Sequence, residues 1–304
     1  MKLGFITSIL DHASFEEVID TAASIGYECV ELACWPVEKA TRRYAGVTHL
    51  NIEELTEEQI AHVNSYCQNK NVAISALAYY PNPLTEDPEK RRQITEHLKA
   101  MITIAPKLHV NTVTTFLGRC QTKTVEENLA LVQEVWTPII RLAEKKKVRI
   151  AIENCPMLFG KDQWPGGQNL MTTPAIWRKV FELLPSEYLG LNYDPSHFVW
   201  QQMDYIRPLY EFKDKIFHVH YKDIKLYPEK LSDAGTMAYP LEYMSPKLPG
   251  LGDVDWGKYV SALTDIGYDS YSCIEIEDKA FEKNDTKILD SLKLSYHYMR
   301  QFVI

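Results

Sequence analysis

The chain has 304 residues, with 33 Lys+Arg against 41 Asp+Glu and a formal net charge of −8. Its 45% hydrophobic and 24% charged content is close to globular averages, so one large domain or two ordinary ones can bury an adequate core. No run approaches the ~20 apolar residues of a membrane span, the opening Met1-Lys2-Leu3-Gly4-Phe5-Ile6-Thr7-Ser8 is too short for a signal peptide, and the acidic balance disfavours a nucleic-acid binder, whose affinity comes from clustered Lys and Arg.

Along the chain a short β-rich run is followed by a helical run, and the pattern repeats. Strands are predicted over Leu3–Thr7, Cys29–Ala33, Val72–Ala78, Val110–Phe116, Val148–Glu153, Tyr188–Asp194, Ile216–His220 and Ser272–Glu277. Helices between them start at three capping boxes, Ser14 with Glu17, Thr56 with Gln59 and Thr124 with Glu127. Pro88 and Pro174 occupy first helical positions after Asp87 and Thr173. Leu129, Val132, Trp136, Ile139 and Ala143 recur at helical spacing, as do Ile176, Trp177, Val180, Phe181 and Leu184. Trp136, Trp177 and Trp256 are read as core. Ile288, Leu292, Ser295 and Met299 mark a last helix. Gly26 and Gly267 sit in similar Ile-Gly-Tyr segments, each read as a helix cap before a strand.

Alternating β and α elements require a parallel sheet. Eight units in 304 residues fit an α/β single (β/α)8 TIM barrel over residues 1–304, somewhat longer than the ~250-residue norm. A doubly wound open sheet is the runner-up, weakened because no Gly-x-Gly-x-x-Gly follows the first strand. Asp223–Gly252 holds four prolines and is read as a long rim insertion, often a lid. Cys29, Cys34, Cys67, Cys120, Cys155 and Cys273 form no CxxC pair, which suits reduced thiols and a cytoplasmic protein.

A TIM barrel carries its active site at the C-terminal ends of its strands. There the fifth strand ends in Glu153, the sixth in Asp194 with His197 three residues on, the seventh carries His218 and His220, and the eighth carries Glu275 and Glu277. Side chains alternate along a strand, so Glu153, Glu275 and Glu277 point inward if Ile150, Ile152, Ile274 and Ile276 face the helices. His218 and His220 likewise share one face. Four consecutive strands thus bring three carboxylates and an imidazole to one rim. Unpaired, they would repel one another and be costly to desolvate. One divalent metal ion resolves this, and an oxygen-rich set with one imidazole suits Mn²⁺, Mg²⁺, Co²⁺ or Zn²⁺.

The segments Ile152-Glu153-Asn154, Asp194-Pro195-Ser196-His197, His218-Val219-His220-x-Lys222-Asp223, Pro249-Gly250-x-Gly252-Asp253-x-Asp255-Trp256 and Ile274-Glu275-x-Glu277-Asp278 together resemble the sugar phosphate isomerase/epimerase family of xylose isomerase-like TIM barrels. The resemblance runs in order over nearly the whole chain. It implies metal ligands Glu153, Asp194, His220 and Glu275, with His218 one layer deeper and His197 beside the metal or on the substrate. It also implies catalysis by Glu153 and Glu275, an acid/base pair that moves a proton next to a carbonyl through an enediolate. Lys222 would orient hydroxyls or stabilise negative charge, unless it simply pairs with Asp223. Trp35, Tyr79, Phe116 and Trp164, with Tyr80, would wall a pocket for a small carbohydrate.

The same residues would serve a metal-dependent lyase or hydrolase acting on an inosose or a 3-keto-glycoside. A non-catalytic carbohydrate-binding barrel is a further alternative, though it has no need of two carboxylates beside a metal. Endonuclease IV-type DNA repair enzymes share the barrel but need extra His ligands on the second and third loops. Here Trp35 and Tyr79-Tyr80 stand there, and Asp223–Gly252 has no His. Pro249-Gly250-Leu251-Gly252 is a candidate phosphate turn or simply the turn into the next helix. Related barrels often dimerise or tetramerise, so a homo-oligomer is compatible with the resemblance.

Overall fold

The computed structural model describes residues 1–37, 44–158 and 167–303. In chain order, β1 (Lys2–Ile6), α1 (Phe15–Ile25), β2 (Cys29–Ala33), α2 (Glu57–Lys70), β3 (Ala73–Ala78), α3 (Pro88–Ile104) and β4 (Thr112–Thr115) form the first half. Then come α4 (Val125–Lys146), β5 (Arg149–Glu153), α5 (Pro174–Leu183), β6 (Leu189–Tyr193), the short α6 (Ser196–Val199) and α7 (Arg207–Glu211), and β7 (Ile216–Tyr221). The chain continues with β8 (Asp223–Leu226), α8 (Pro228–Ala234), β9 (Met244–Lys247), α9 (Trp256–Asp265), β10 (Tyr271–Ile274) and α10 (Asp285–Arg300).

The helix starts follow from their caps. Ser14 Oγ accepts from the Glu17 N–H at 3.2 Å, and Glu17 Oε2 accepts from the Ser14 N–H at 2.7 Å. Thr56 with Gln59 and Thr124 with Glu127 repeat this reciprocal pair. Each such cap is worth about 1 kcal/mol. Gly26 ends α1 at φ +106°, a left-handed conformation that glycine adopts without steric cost.

Eight strands close into one parallel barrel in the order β1, β10, β7, β6, β5, β4, β3, β2. They are buried on both faces, which explains their near-continuous apolar sequence. Ile6, Cys29 and Cys273 pack together as a small buried cluster of their own. A Cβ on Gly4 would lie 2.4 Å from the Cys29 carbonyl oxygen, so only glycine allows β1 and β2 to approach there. Trp136, Trp177 and Trp256 are buried between barrel and helices, as expected. Trp136 Nε1 donates to the Leu117 carbonyl and Trp177 Nε1 to the Met171 carbonyl, both at 2.9 Å. All six cysteines are free.

Two features depart from the sequence-based expectation. The last barrel strand stops at Ile274, so Glu275 and Glu277 lie beyond the ladder on the rim. The insertion expected to be irregular contains an antiparallel hairpin, β8 against β9, in register from Asp223 opposite Lys247 to Leu226 opposite Met244. Asp223 anchors its base. Its Oδ1 accepts from the N–H of Ile224 and Val254 at 2.8 and 3.1 Å, and its Oδ2 from Gly250 N–H and Trp256 Nε1, both at 2.9 Å. Gly252 packs against this carboxylate, where a Cβ would meet Oδ1 at 2.3 Å.

Candidate metal centre

Strands β5, β6, β7 and β10 are neighbours around the barrel, and their C-terminal ends carry Glu153, Asp194, His220 and Glu275. One donor atom from each lies within 4.8 Å of the others. His220 Nδ1 is 3.5 Å from Glu153 Oε1 and 3.2 Å from Glu275 Oε2. Glu153 Oε1, Asp194 Oδ2 and His220 Nδ1 are all buried without a hydrogen-bond partner. Buried polar atoms left unpaired cost a few kcal/mol each in a protein interior. Their convergence is what a bound cation requires, so the donor set fits a divalent metal ion.

A surrounding layer aims these donors. Asp194 Oδ1 accepts from the Ser196 N–H at 2.8 Å, which turns Oδ2 toward the centre. Asn154 pins the Asp194 backbone through two hydrogen bonds, Nδ2 to the carbonyl at 2.8 Å and Oδ1 from the N–H at 2.7 Å. Asn169 Nδ2 donates to the Glu153 carbonyl at 2.8 Å. On the far side of His220, Nε2 lies 2.6 Å from Glu31 Oε2. Glu31 also accepts from Thr114 Oγ1 at 2.6 Å and from the Tyr80 hydroxyl. A carboxylate on one ring nitrogen fixes the tautomer and leaves the other as the donor lone pair. His218 lies a layer deeper, with Nδ1 3.0 Å from Asn192 Oδ1 and Nε2 3.1 Å from Ser75 Oγ.

No motif marks Glu31. The available signal is a single charged residue inside the otherwise apolar β2 segment Cys29-Val30-Glu31-Leu32-Ala33, now wholly buried.

The electrostatics follow from this crowding. Burial pushes the Glu31 carboxyl up, but the His220 imidazole outweighs burial and holds it at about 2. Burial also opposes ionisation of Glu153, and His197 and His220 overcome it, keeping that carboxyl well below the usual range. Asp194 sits at about 2, because Lys222 and His197 outweigh its burial. Burial pulls the Lys222 ammonium down, yet the carboxylates of Glu275, Glu277 and Asp194 hold it well above its ordinary value. The Lys222 Nζ is 3.0, 3.3 and 3.2 Å from these three carboxylates. Lys222 therefore does not pair with Asp223: adjacent residues at the end of β7 point to opposite faces.

Above the centre opens a cavity of about 430 Å³. Glu153, His197, Lys222, Glu275 and Glu277 line its floor. His197 Nε2 is 3.2 Å from Asp194 Oδ2, and neither of its ring nitrogens has a hydrogen-bond partner. Trp35 and Phe116 line the wall, with Tyr80 between the floor and Phe116. Tyr79 does not line it. Its buried ring packs edge-on against Trp35 and His97, at centroid distances of 4.9 and 4.8 Å. Trp164 lies outside the described residues. Trp200 and the insertion residues Tyr239 and Met244, with no motif to mark them, complete the wall.

Two of the remaining histidines, His49 and His97, serve structure. His49 bridges the Thr7 and Ala13 carbonyls, both at 3.1 Å, and His97 holds the Cys34 carbonyl at 2.8 Å. Among the described residues, no helix is long and apolar enough to cross a membrane.

Among curated proteins, the uncharacterized protein YfiH of Bacillus subtilis (strain 168) is 27% identical to this chain, over 91% of it and 93% of the relative. The inosose dehydratase of Clostridium tetani (strain Massachusetts / E88) is 24% identical, over 55% of each chain. Two solved structures share the architecture. An IolI protein with a bound zinc atom superposes at TM-score 0.72 with 19% identity, covering 99% of both chains. D-psicose 3-epimerase in the presence of D-fructose superposes at 0.73 with 15% identity, covering 100% of this chain and 99% of that one. At these identities the structural likeness is one of fold. A family model described as xylose isomerase-like TIM barrel matches residues 19–298, nearly the whole of the closed barrel. The chain accordingly belongs to the xylose isomerase-like TIM barrel family, in agreement with the sugar phosphate isomerase/epimerase resemblance of its motifs.

Proposed function

We propose that this protein is a metal-dependent sugar isomerase or epimerase that moves a proton at the carbon next to a carbonyl of a ketose, an aldose or a sugar derivative. The carrying observation is the placement of Glu153 and Glu275, which flank the His220 imidazole at 3.5 and 3.2 Å from the two ends of the four-strand arc. A divalent cation held by Glu153, Asp194, His220 and Glu275 would act as a Lewis acid toward the substrate carbonyl.

The chain's own groups supply the proton transfers. One of the two Glu carboxylates takes the C–H proton, the C–H electron pair becomes a C=C bond, and the carbonyl oxygen gains negative charge. In isomerisation that carboxyl returns the proton to the former carbonyl carbon, while the proton of the hydroxyl on the first carbon passes to the former carbonyl oxygen; in epimerisation the other Glu, having taken a proton from solvent, delivers it to the opposite face. Lys222, 3.0 Å from Glu275, places a fixed positive charge beside the developing oxyanion. His197 stands at the cavity floor, its Nε2 3.2 Å from Asp194 Oδ2, and orients a substrate hydroxyl.

A second reading, dehydration of an inosose, is favoured by the partial likeness to inosose dehydratases. It begins with the same proton abstraction and ends with loss of a hydroxyl from the next carbon. The test incubates metal-loaded protein with free ketoses, aldoses and inososes in D₂O. Solvent deuterium enters the carbon next to the carbonyl, and Glu153→Gln abolishes the exchange while sugar binding persists. Net loss of water from an inosose would select the dehydratase reading. Exchange that is absent throughout, or equal in Glu153→Gln, would overturn both readings and leave a carbohydrate-binding barrel.

A further inference from the structure

We infer that the substrate carries a bulky apolar substituent, aromatic or fused-ring, on its sugar. The inference takes the floor of the cavity to be the sugar site proposed above and asks what fills the remainder.

The cavity divides by chemistry. Apart from Lys279 and Glu282, its charged side chains belong to the floor around Glu153 and Glu275, where a carbonyl and its neighbouring hydroxyls would sit. Higher up the character changes. Trp35, Phe116, Met157 and Leu158 face it from the early strands and the β5 rim. Trp200, Pro240, Leu241 and Met244 face it from the β6 rim and the insertion. A sugar hydroxyl buried against such walls would lose water without gaining a partner. Apolar rings lose nothing there and gain contact area.

Size points the same way. A volume of about 430 Å³ falls in the range of ~300–1,000 Å³ that holds drug-sized ligands, larger than a free hexose needs. The hairpin insertion accounts for much of this upper wall, and its Leu241 is 46% exposed at the mouth. An exposed apolar side chain at the entrance of an apolar chamber is consistent with a ligand that extends outward through it.

The turn Pro249-Gly250-Leu251-Gly252, which has the sequence of a phosphate turn, is braced from within: the Asp223 carboxylate takes the Gly250 N–H at 2.9 Å, the Leu251 N–H meets the Leu248 carbonyl at 2.9 Å, and Gly252 packs on Asp223.

The experiment is calorimetric titration of Mn²⁺-loaded protein with phenyl glucoside, methyl glucoside and glucose, each glucoside in both anomers. Phenyl glucoside of at least one anomer should bind roughly tenfold to a hundredfold tighter than its methyl counterpart. Trp200→Ala should cut the phenyl advantage to less than threefold. Because Trp200 is buried, Leu241→Asp provides the same test at a partly exposed position. Equal affinity for phenyl and methyl glucosides, or a phenyl advantage intact in both variants, would overturn the inference. Deuterium exchange absent with every sugar, alongside an intact phenyl preference lost in the variants, would sink the proposed reaction and uphold the substituent.

Discussion

The carboxylate of Glu31 grips His220 from behind, Oε2 to Nε2 at 2.6 Å, while the opposite nitrogen of the same ring faces Glu153 and Glu275. The pair joins strands that are not neighbours, β2 and β7, across β1 and β10. Replacing Glu31 with Gln keeps the shape but removes the charge that orients and polarises the imidazole. Divalent-metal affinity should fall by about 10–100-fold, the usual cost of losing such a partner. Chelator competition measures this directly, and an unchanged affinity would show that His220 is not a ligand.

Metal binding should release a proton. Burial lowers the affinity of His220 for a proton, but Glu31, Glu153 and Glu275 outweigh burial and push its pKa well up, so the metal-free imidazole is protonated near neutrality. A metal ligand must be neutral, so binding expels that proton. The sign is fixed: affinity rises with pH until the free protein's imidazole is itself neutral, by about tenfold per unit for one proton. Calorimetry in buffers of different ionisation enthalpy counts the proton. A buffer-independent enthalpy would contradict the scheme.

How much was legible before the structure depends on what the local pattern controls. Glu153, Asp194 and His220 sit at strand ends where alternation decides which face a side chain takes, and those strands could be read from their apolar runs. Glu31 and Asn192 lie where alternation fails. The β2–β3 register shifts between Val30 and Glu31, and the β6–β7 register shifts between Leu191 and Asn192. Such irregularities re-aim side chains toward a site without any sequence signature. The choice between Tyr79 and Tyr80 turned on a similar point. Both follow the end of β3, and nothing in Tyr79-Tyr80 tells which ring enters the cavity.

Asp223 offers a test of the insertion independent of the metal centre. Its Oδ2 receives two N–H donors, from Gly250 and the Trp256 indole. In Asp223→Asn one of the two carboxylate oxygens becomes an NH₂ facing donors, so at least two hydrogen bonds are lost and two N–H groups are left facing it. A cost of about 2–4 kcal/mol to folding stability is expected. Denaturant unfolding reads it, and the hairpin amides of β8 and β9 should exchange hydrogen faster than those of the barrel strands. Equal destabilisation of barrel and hairpin would mean that Asp223 braces the whole rim.

Lys222 separates the metal-free from the metal-loaded protein. Its buried ammonium stands 3.0–3.3 Å from Asp194, Glu275 and Glu277, three carboxylates that would otherwise face one another. Removing one partner from a buried charge cluster costs about 3–5 kcal/mol. Lys222→Met keeps the length and apolar stem of the side chain and deletes the charge. In metal-free protein it should lower the melting temperature by roughly 5–15 °C. With saturating Mn²⁺ most of that loss should disappear, because the bound cation supplies the missing positive charge to Asp194 and Glu275. Metal affinity itself should rise, since a like charge has left the site. Thermal unfolding of both proteins, with and without metal, distinguishes this from a packing role. An equal drop in the two states would place the contribution of Lys222 in its methylene stem rather than in its charge.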